Sequence, residues 1–141
     1  MQLPLQEFKK KSVKIIYTDA GYSLKKRIGY LAVKNKKVKI RKVEIPHIPG
    51  LKQYSNLLEL QGVLEGLKST KAKNVILYTD SRIAACWFNR GYNNLDKFSK
   101  YHYQIKQEID IEKSRFHSLE VRWVGRNENP AGIALEQKFD V

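Results

Sequence analysis

Asn74-Val-Ile-Leu-Tyr-Thr-Asp-Ser-Arg82 is a run of apolar and β-branched residues that stops at Asp80, and a helix-compatible pattern begins at once with Ser81. Bounded in this way, the run reads as a buried strand feeding a helix. It carries a carboxylate at its carboxyl end, where open α/β sheets place their ligands. Val13-Lys-Ile-Ile-Tyr-Thr-Asp-Ala-Gly21 repeats the design, with Asp19 following the same Tyr-Thr pair and closing a second apolar strand before an Ala20-Gly21-Tyr22-Ser23 turn. Two strands that deliver Asp to one edge point to a site for a divalent cation.

Outward from these two strands the periodicity changes several times. Residues 27–33 and 37–45 read as further strands joined by a hairpin turn at Lys34-Asn35-Lys36. In the second of them Val38 and Ile40 alternate with Lys37, Lys39 and Arg41, and then the phase flips to Val43 and Ile45. Such a flip marks a bulge or a change of covered face. Pro46-His47-Ile48-Pro49-Gly50 breaks the chain, and a helix is expected over 53–69 with Leu57, Leu60, Leu64 and Leu67 as its core stripe. Gly62 and Gly66 share a neighbouring line of that helix with Glu59. Each glycine costs up to about 1 kcal/mol against alanine in a helix, so the pair implies that the backbone comes close to the sheet there. A short helix over 81–90 ends at Gly91, and a longer one opens at Asp96, with Phe98, Tyr101, Ile105 and Ile109 as its stripe. Leu119, Val121 and Trp123 alternate with Glu120 and Arg122 as a fifth strand, and Trp123 is expected in the core. Pro130 opens a final helix after the polar loop 125–129. The order β-β-β-α-β-α-α-β-α predicts an α/β fold, a five-stranded mixed sheet with helices on both faces. Residues 1–12, with Pro4 and Lys9-Lys10-Lys11, read as a basic arm ahead of a single domain over 13–141.

The chain has 27 Lys and Arg against 14 Asp and Glu, a formal net charge of +13. An excess of this size favours a polyanionic partner, of which nucleic acid is the commonest. A well-solvated lysine surface is the plainer reading, and for part of the basic stretch 34–42 it suffices. Cys86 is alone, excludes an intrachain disulfide, and is expected to be a buried inert thiol. No apolar run approaches a membrane span and none resembles a signal peptide, so a cytoplasmic protein without membrane contact is expected. A monomer is expected.

Asp19, Glu59 and Asp80 converge at one end of the sheet if the first and fourth strands are neighbours. Singly, each has an ordinary explanation: Asp80 with Ser81 as a helix cap, Asp19 as turn chemistry, Glu59 as an exposed helix residue. Together they make a set of hard oxygen ligands suited to Mg²⁺ or Mn²⁺, whose mutual repulsion a bound metal pair would relieve.

Four motifs in register, Tyr-Thr-Asp-Ala-Gly, Ser-Asn-Leu-Leu-Glu-Leu-Gln, Tyr-Thr-Asp-Ser and Trp-Val-Gly-Arg-Asn-Glu-Asn-Pro-Ala, resemble those of ribonuclease H type 1 over nearly the whole chain. The resemblance implies an RNase H-like fold and metal-dependent endonucleolytic hydrolysis of the RNA strand of RNA–DNA hybrids by a two-ion site of Mg²⁺ or Mn²⁺. It makes Asp19, Glu59 and Asp80 the catalytic metal ligands. Ser55, Asn56, Ser81, Arg82, Arg126 and Asn129 become the residues that touch nucleic acid, and a polymerase or other replication protein becomes a candidate partner. One position departs from the pattern. The family's fourth carboxylate follows the Ala of an Asn-Pro-Ala-like run, and here that position is Gly132. Glu136, one helical turn further on, is the candidate substitute ligand. Without a substitute, three carboxylates would hold the metals weakly, in a slower or Mn²⁺-preferring enzyme. Two alternatives also stay open: a catalytically impaired nucleic-acid-binding or tethering domain, and a DNA-directed nuclease or recombinase of the same fold.

Overall fold

The apolar runs become one five-stranded sheet in the computed structural model, which describes residues 12–23, 25–43, 54–90 and 100–139. The elements are β1 (Lys14–Ser23), β2 (Ile28–Asn35), β3 (Lys37–Val43), α1 (Tyr54–Lys68), β4 (Asn74–Thr79), α2 (Arg82–Arg90), α3 (Lys100–Lys113), β5 (Ser118–Trp123), a 3₁₀ turn (Arg126–Glu128) and α4 (Pro130–Lys138). Residues 1–11 of the basic arm, Ile45, the breaker at 46–50, Gly91, Asp96 and Phe98 lie outside the described residues. Strand order is β3-β2-β1-β4-β5. The β1–β2 and β2–β3 pairs are antiparallel, and the β1–β4 and β4–β5 pairs are parallel. The two Asp-bearing strands are therefore neighbours.

Alternation along the strands sorts side chains to two faces. Ile16, Val33, Val75, Leu77 and Val121 face α1, α2 and α3, where they pack with Leu57, Leu60, Leu64, Leu67, Ala84 and Ile105. The leucine stripe expected of α1 is thus the centre of the main core, and all four leucines are buried. The opposite face carries Tyr30 and Ala32, covered by Ala131 and Leu135 of α4. The glycines of α1 lie where the helix meets β1. A Cβ on Gly66 would stand 2.6 Å from Thr18 Cγ2 and 2.8 Å from Leu77 Cδ1, and one on Gly62 would stand 3.4 Å from the Asp19 carbonyl oxygen. That is the close approach their helical cost implied.

Several sequence expectations change. Ala20-Gly21-Tyr22-Ser23 is strand rather than turn, because it pairs residue by residue with β2 from Ala20↔Leu31 to Ser23↔Ile28. The reversal comes later, where Arg27 has φ 55° and its N–H donates to Ser23 O at 2.7 Å. The phase flip in β3 is a change of covered face and not a bulge, since its pairing with β2 runs unbroken from Asn35↔Lys37 to Gly29↔Val43. Ile40 packs toward α4, whereas Val43 packs with Leu31 and Leu58 beside α1. Trp123, expected in the core, is 46% exposed. Cys86, expected buried, is exposed on the outer side of a short amphipathic helix. Among the described residues no helix is long and apolar enough to cross a membrane.

Candidate metal centre

Parallel pairing of β1 with β4 ends at Thr18↔Thr79, so Asp19 and Asp80 leave the pair side by side at the same level. Asp80 terminates β4 as read from sequence. Asp19 does not terminate β1, which continues along β2. It sits where the strand loses its parallel partner, and that opening leaves its half-buried carboxylate at the sheet's end. Glu59, in the second turn of α1, reaches the same place, because Gly62 lets the helix lie against the Asp19 backbone. Carboxylate oxygens of Asp19, Glu59 and Asp80 all lie within 4.8 Å of one another. Together with Ala20, Gly21, Arg126 and Glu136 they line a cavity of about 260 Å³.

The turn that carries Asp80 is tied down on each side. Thr79 Oγ1 accepts the Ser81 N–H at 3.1 Å, and Ser81 Oγ accepts the Ala84 N–H at 3.1 Å, which makes Ser81 the N-cap of α2. The indole N–H of Trp123 donates to the Asp80 carbonyl at 3.1 Å. Arg82 covers the Trp123 ring at 4.3 Å. Trp123 is a residue that sequence reasoning missed: strand alternation assigned it to the core, and the role of its polar edge shows only in three dimensions.

Asn129 also differs from its sequence assignment. It is fully buried and cannot touch nucleic acid as expected. Its side chain donates to Thr18 O at 3.0 Å and Asp80 Oδ2 at 3.3 Å, and accepts the Ala131 N–H at 3.2 Å. It caps α4 and locks that helix to both Asp-bearing strands. An Asn directly before a Pro at the first helical position is itself a cap signal, so this role was readable. The first turn of α4 consequently abuts the carboxylates. A Cβ on Gly132 would stand 2.9 Å from Asp19 Oδ2 and 3.3 Å from Asp80 Oδ2. The two carboxylates lean into the space that the glycine leaves, and the helix's partial positive end lessens their repulsion.

The electrostatics show the strain of this convergence. Burial, and then the charge of Asp80, push the Asp19 carboxyl from 3.8 up to about 7. Burial, followed by the charges of Asp19 and Asp80, raises Glu59 well above its usual value. Glu59 Oε2 is buried without a hydrogen-bond partner among the described residues. A buried carboxylate oxygen with no donor, inside a cluster of like charges, fits a bound cation. Three hard oxygen donors suit Mg²⁺ or Mn²⁺.

The other candidates stand around this centre. Ser55 is exposed and Asn56 half-buried, both about one helical turn before Glu59. Arg82 and Arg126 are exposed. Glu136 reaches the cavity but is held by Arg126, whose Nε stands 2.6 Å from its Oε1, and it is not among the three carboxylates that meet.

Comparison of the sequence with protein-family models and with curated proteins finds no match. Among solved structures, the N-terminal RNase H domain of rv2228c from Mycobacterium tuberculosis, solved as a fusion with maltose-binding protein, superposes with a TM-score of 0.64. The match covers 89% of this chain and 97% of that one at 16% identity. Strand order, the placement of the helices and this superposition together establish that the chain has an RNase H-like α/β fold.

Proposed function

We propose that the protein is a metal-dependent endonuclease that hydrolyses the RNA strand of RNA–DNA hybrids. The observation that carries this reading is the meeting of Asp19, Glu59 and Asp80, from three separate elements, with a buried and unpartnered oxygen on Glu59. Asp19, Glu59 and Asp80 would hold the ions, with Asp19 central because it lies between the other two segments. Bound divalent ions supply charge neutralisation at phosphorus and lower the pKa of water.

The chain's own residues account for the rest. Asn129, Ser81 and Trp123 fix the turn that carries Asp80, so the carboxylates are positioned before substrate arrives. Arg126, with its side chain 72% exposed at the rim, is suited to a phosphate or product contact. Ser55 and Asn56 offer short polar groups for sugar hydroxyls in the minor groove of an A-like duplex, where shape and 2′-hydroxyls, not sequence, are read. Ser81 and Arg82 follow Asp80 directly and would offer further polar contacts to the backbone of a bound strand. The excess of positive charge favours a polyanionic substrate.

Gly132 favours a second reading, a domain that binds nucleic acid but cleaves it slowly or not at all. The motif resemblance gives it the position of the family's fourth carboxylate, and a glycine offers no ligand beside Asp19 and Asp80. Glu136 has one carboxylate oxygen held by Arg126 and is not among the carboxylates that meet. Incubation of labelled hybrid, duplex DNA and duplex RNA with Mg²⁺ or Mn²⁺ tests the readings together. The nuclease reading requires cleavage of the RNA strand in the hybrid alone, lost in Asp19→Asn. Binding without cleavage supports the impaired domain, and cleavage of duplex DNA would replace both with a DNA-directed enzyme.

A further inference from the structure

Away from the carboxylates, toward the start of β1, lies a second concavity of the opposite charge. It is a groove of about 810 Å³ between the last turns of α1 and the edge strand β3, with Leu31 and Val33 among its lining residues. Val43 packs beside Leu58 of α1, so alternation puts Lys37, Lys39 and Arg41 on the same face of β3, toward α1. Those three side chains form one wall. Lys68 of α1 stands on the other, and Lys14, Lys36 and Lys71 also line the groove.

The balance of charge in this groove is one-sided. Its single acid among the described residues, Glu65, is engaged by Arg41 through two parallel bonds of 3.0 and 2.9 Å. Lys68 stands 3.8 Å from Glu108. Among the described residues no carboxylate forms an ion pair with Lys14, Lys36, Lys37, Lys39 or Lys71. Lysines on an edge strand have a plain use, in that they discourage pairing with another sheet. That use does not explain why Lys14, Lys68 and Lys71 converge on the same space from other elements.

The groove is also held in shape. The Arg41–Glu65 pair ties β3 to α1, and Asn35 Nδ2 donates to Ser69 O at 3.0 Å, fastening the β2–β3 turn to the end of the helix. Carbonyls at the end of α1 would repel an anion. Arg115 takes two of them, Leu67 O at 2.6 Å and Thr70 O at 3.0 Å. Among the described residues no aromatic side chain lines the groove, so these residues give bases no platform to stack on. Cations spaced along one wall with an apolar floor suit a chain of phosphates.

We propose that this groove binds the sugar–phosphate backbone of a nucleic-acid strand, at a place separate from the carboxylate centre. The two concavities share no lining residue. Lys14 precedes Asp19 by five positions on β1, about 17 Å at the rise of a strand. The two sites would therefore engage different stretches of a bound molecule.

The test is equilibrium binding of a labelled single strand in EDTA, followed by fluorescence anisotropy over a range of salt. The wild type is compared with the combined variant Lys36→Gln, Lys37→Gln, Lys39→Gln and with a control of equal charge change, Lys73→Gln, Lys106→Gln, Lys113→Gln. The groove variant is expected to bind about tenfold or more weakly at low salt. Its slope of log K against log salt should be shallower by about 2, at about 0.7 for each phosphate that is no longer neutralised. The control should change much less. Equal losses in the two variants, or none in the groove variant, would overturn the proposal. So would competition by inorganic phosphate at the same phosphate concentration, which would mark a single-phosphate pocket, or equal competition by polyglutamate, which would remove the assignment to nucleic acid. The readout needs neither metal nor turnover, so its failure leaves the nuclease reading standing, and failure of the nuclease assay leaves this one.

Discussion

Asp19→Asn is expected to make the protein more stable while it abolishes hydrolysis. The Asp19 carboxyl is pushed from 3.8 up to about 7, first by burial and then by the charge of Asp80. At about 1.4 kcal/mol for each tenfold change in proton affinity, an ionised Asp19 costs the fold about 4 kcal/mol in the absence of a cation. The sign follows from linkage. The folded value lies above the unfolded one, so the folded state holds its proton more tightly. The cost is absent below about pH 4, grows as the pH rises towards 7, and is complete above that. The amide removes the charge and keeps the shape, but gives up some hydrogen bonding, so a gain of about 2–4 kcal/mol is expected at pH 8 in chelator. At about 3 °C per kcal/mol for a chain of this size, the midpoint should rise by about 6–12 °C. Thermal unfolding of both proteins at pH 4, 6 and 8 in EDTA measures it, and the gap should close as the pH falls. Adding Mn²⁺ at pH 8 should raise the wild-type midpoint and move that of the variant much less. If the variant is no more stable at pH 8, or if the gap does not depend on pH, repulsion among these carboxylates is not the governing force at the site.

Three further outcomes follow from the same geometry. Gly66→Ala should destabilise by about 1–3 kcal/mol in urea unfolding despite its helix propensity, because its Cβ would overlap Thr18 and Leu77. Gly62→Ala, with ordinary contacts, should be near neutral. Asn129→Ala should cost about 1–3 kcal/mol by removing a cap and a buried hydrogen bond to the Thr18 carbonyl, and should also weaken Mn²⁺ binding measured by calorimetry. Gly132→Asp adds a fourth like charge against Asp19. It should lower the unfolding midpoint in EDTA, and in saturating Mn²⁺ it should raise the cleavage rate if the missing ligand limits the reaction; a midpoint unchanged in EDTA would contradict the close approach of these groups.

The element order, the leucine face of α1 and the two Asp-bearing strands were legible because each rests on local periodicity, which buried strands and amphipathic helices display residue by residue. Gly62 and Gly66 were legible for a related reason. A glycine in a helix is unfavourable locally, so its presence reports a contact made elsewhere. The convergence of Asp19, Glu59 and Asp80 was inferred from strand adjacency and is now observed as a distance.

What local pattern could not decide was anything set by pairing or by partners. Ala20 to Ser23 carry turn-like residues, yet β2 runs alongside and makes them strand. Trp123 has the phase of a core residue, but at the end of an edge strand that phase meets Arg82 and the Asp80 carbonyl instead of a packed interior. Asn129 and Glu136 have the composition of site residues. Tertiary structure commits the first to holding α4 against the strands and the second to Arg126. The lysines of β3 look like a solvated hairpin from their own alternation. Only the fold brings Lys14, Lys68 and Lys71 to the same groove. The sequence alone determined which residues could be charged, buried or bent. The tertiary structure decided which charges share a space, because electrostatic energy depends on distances between segments far apart along the chain.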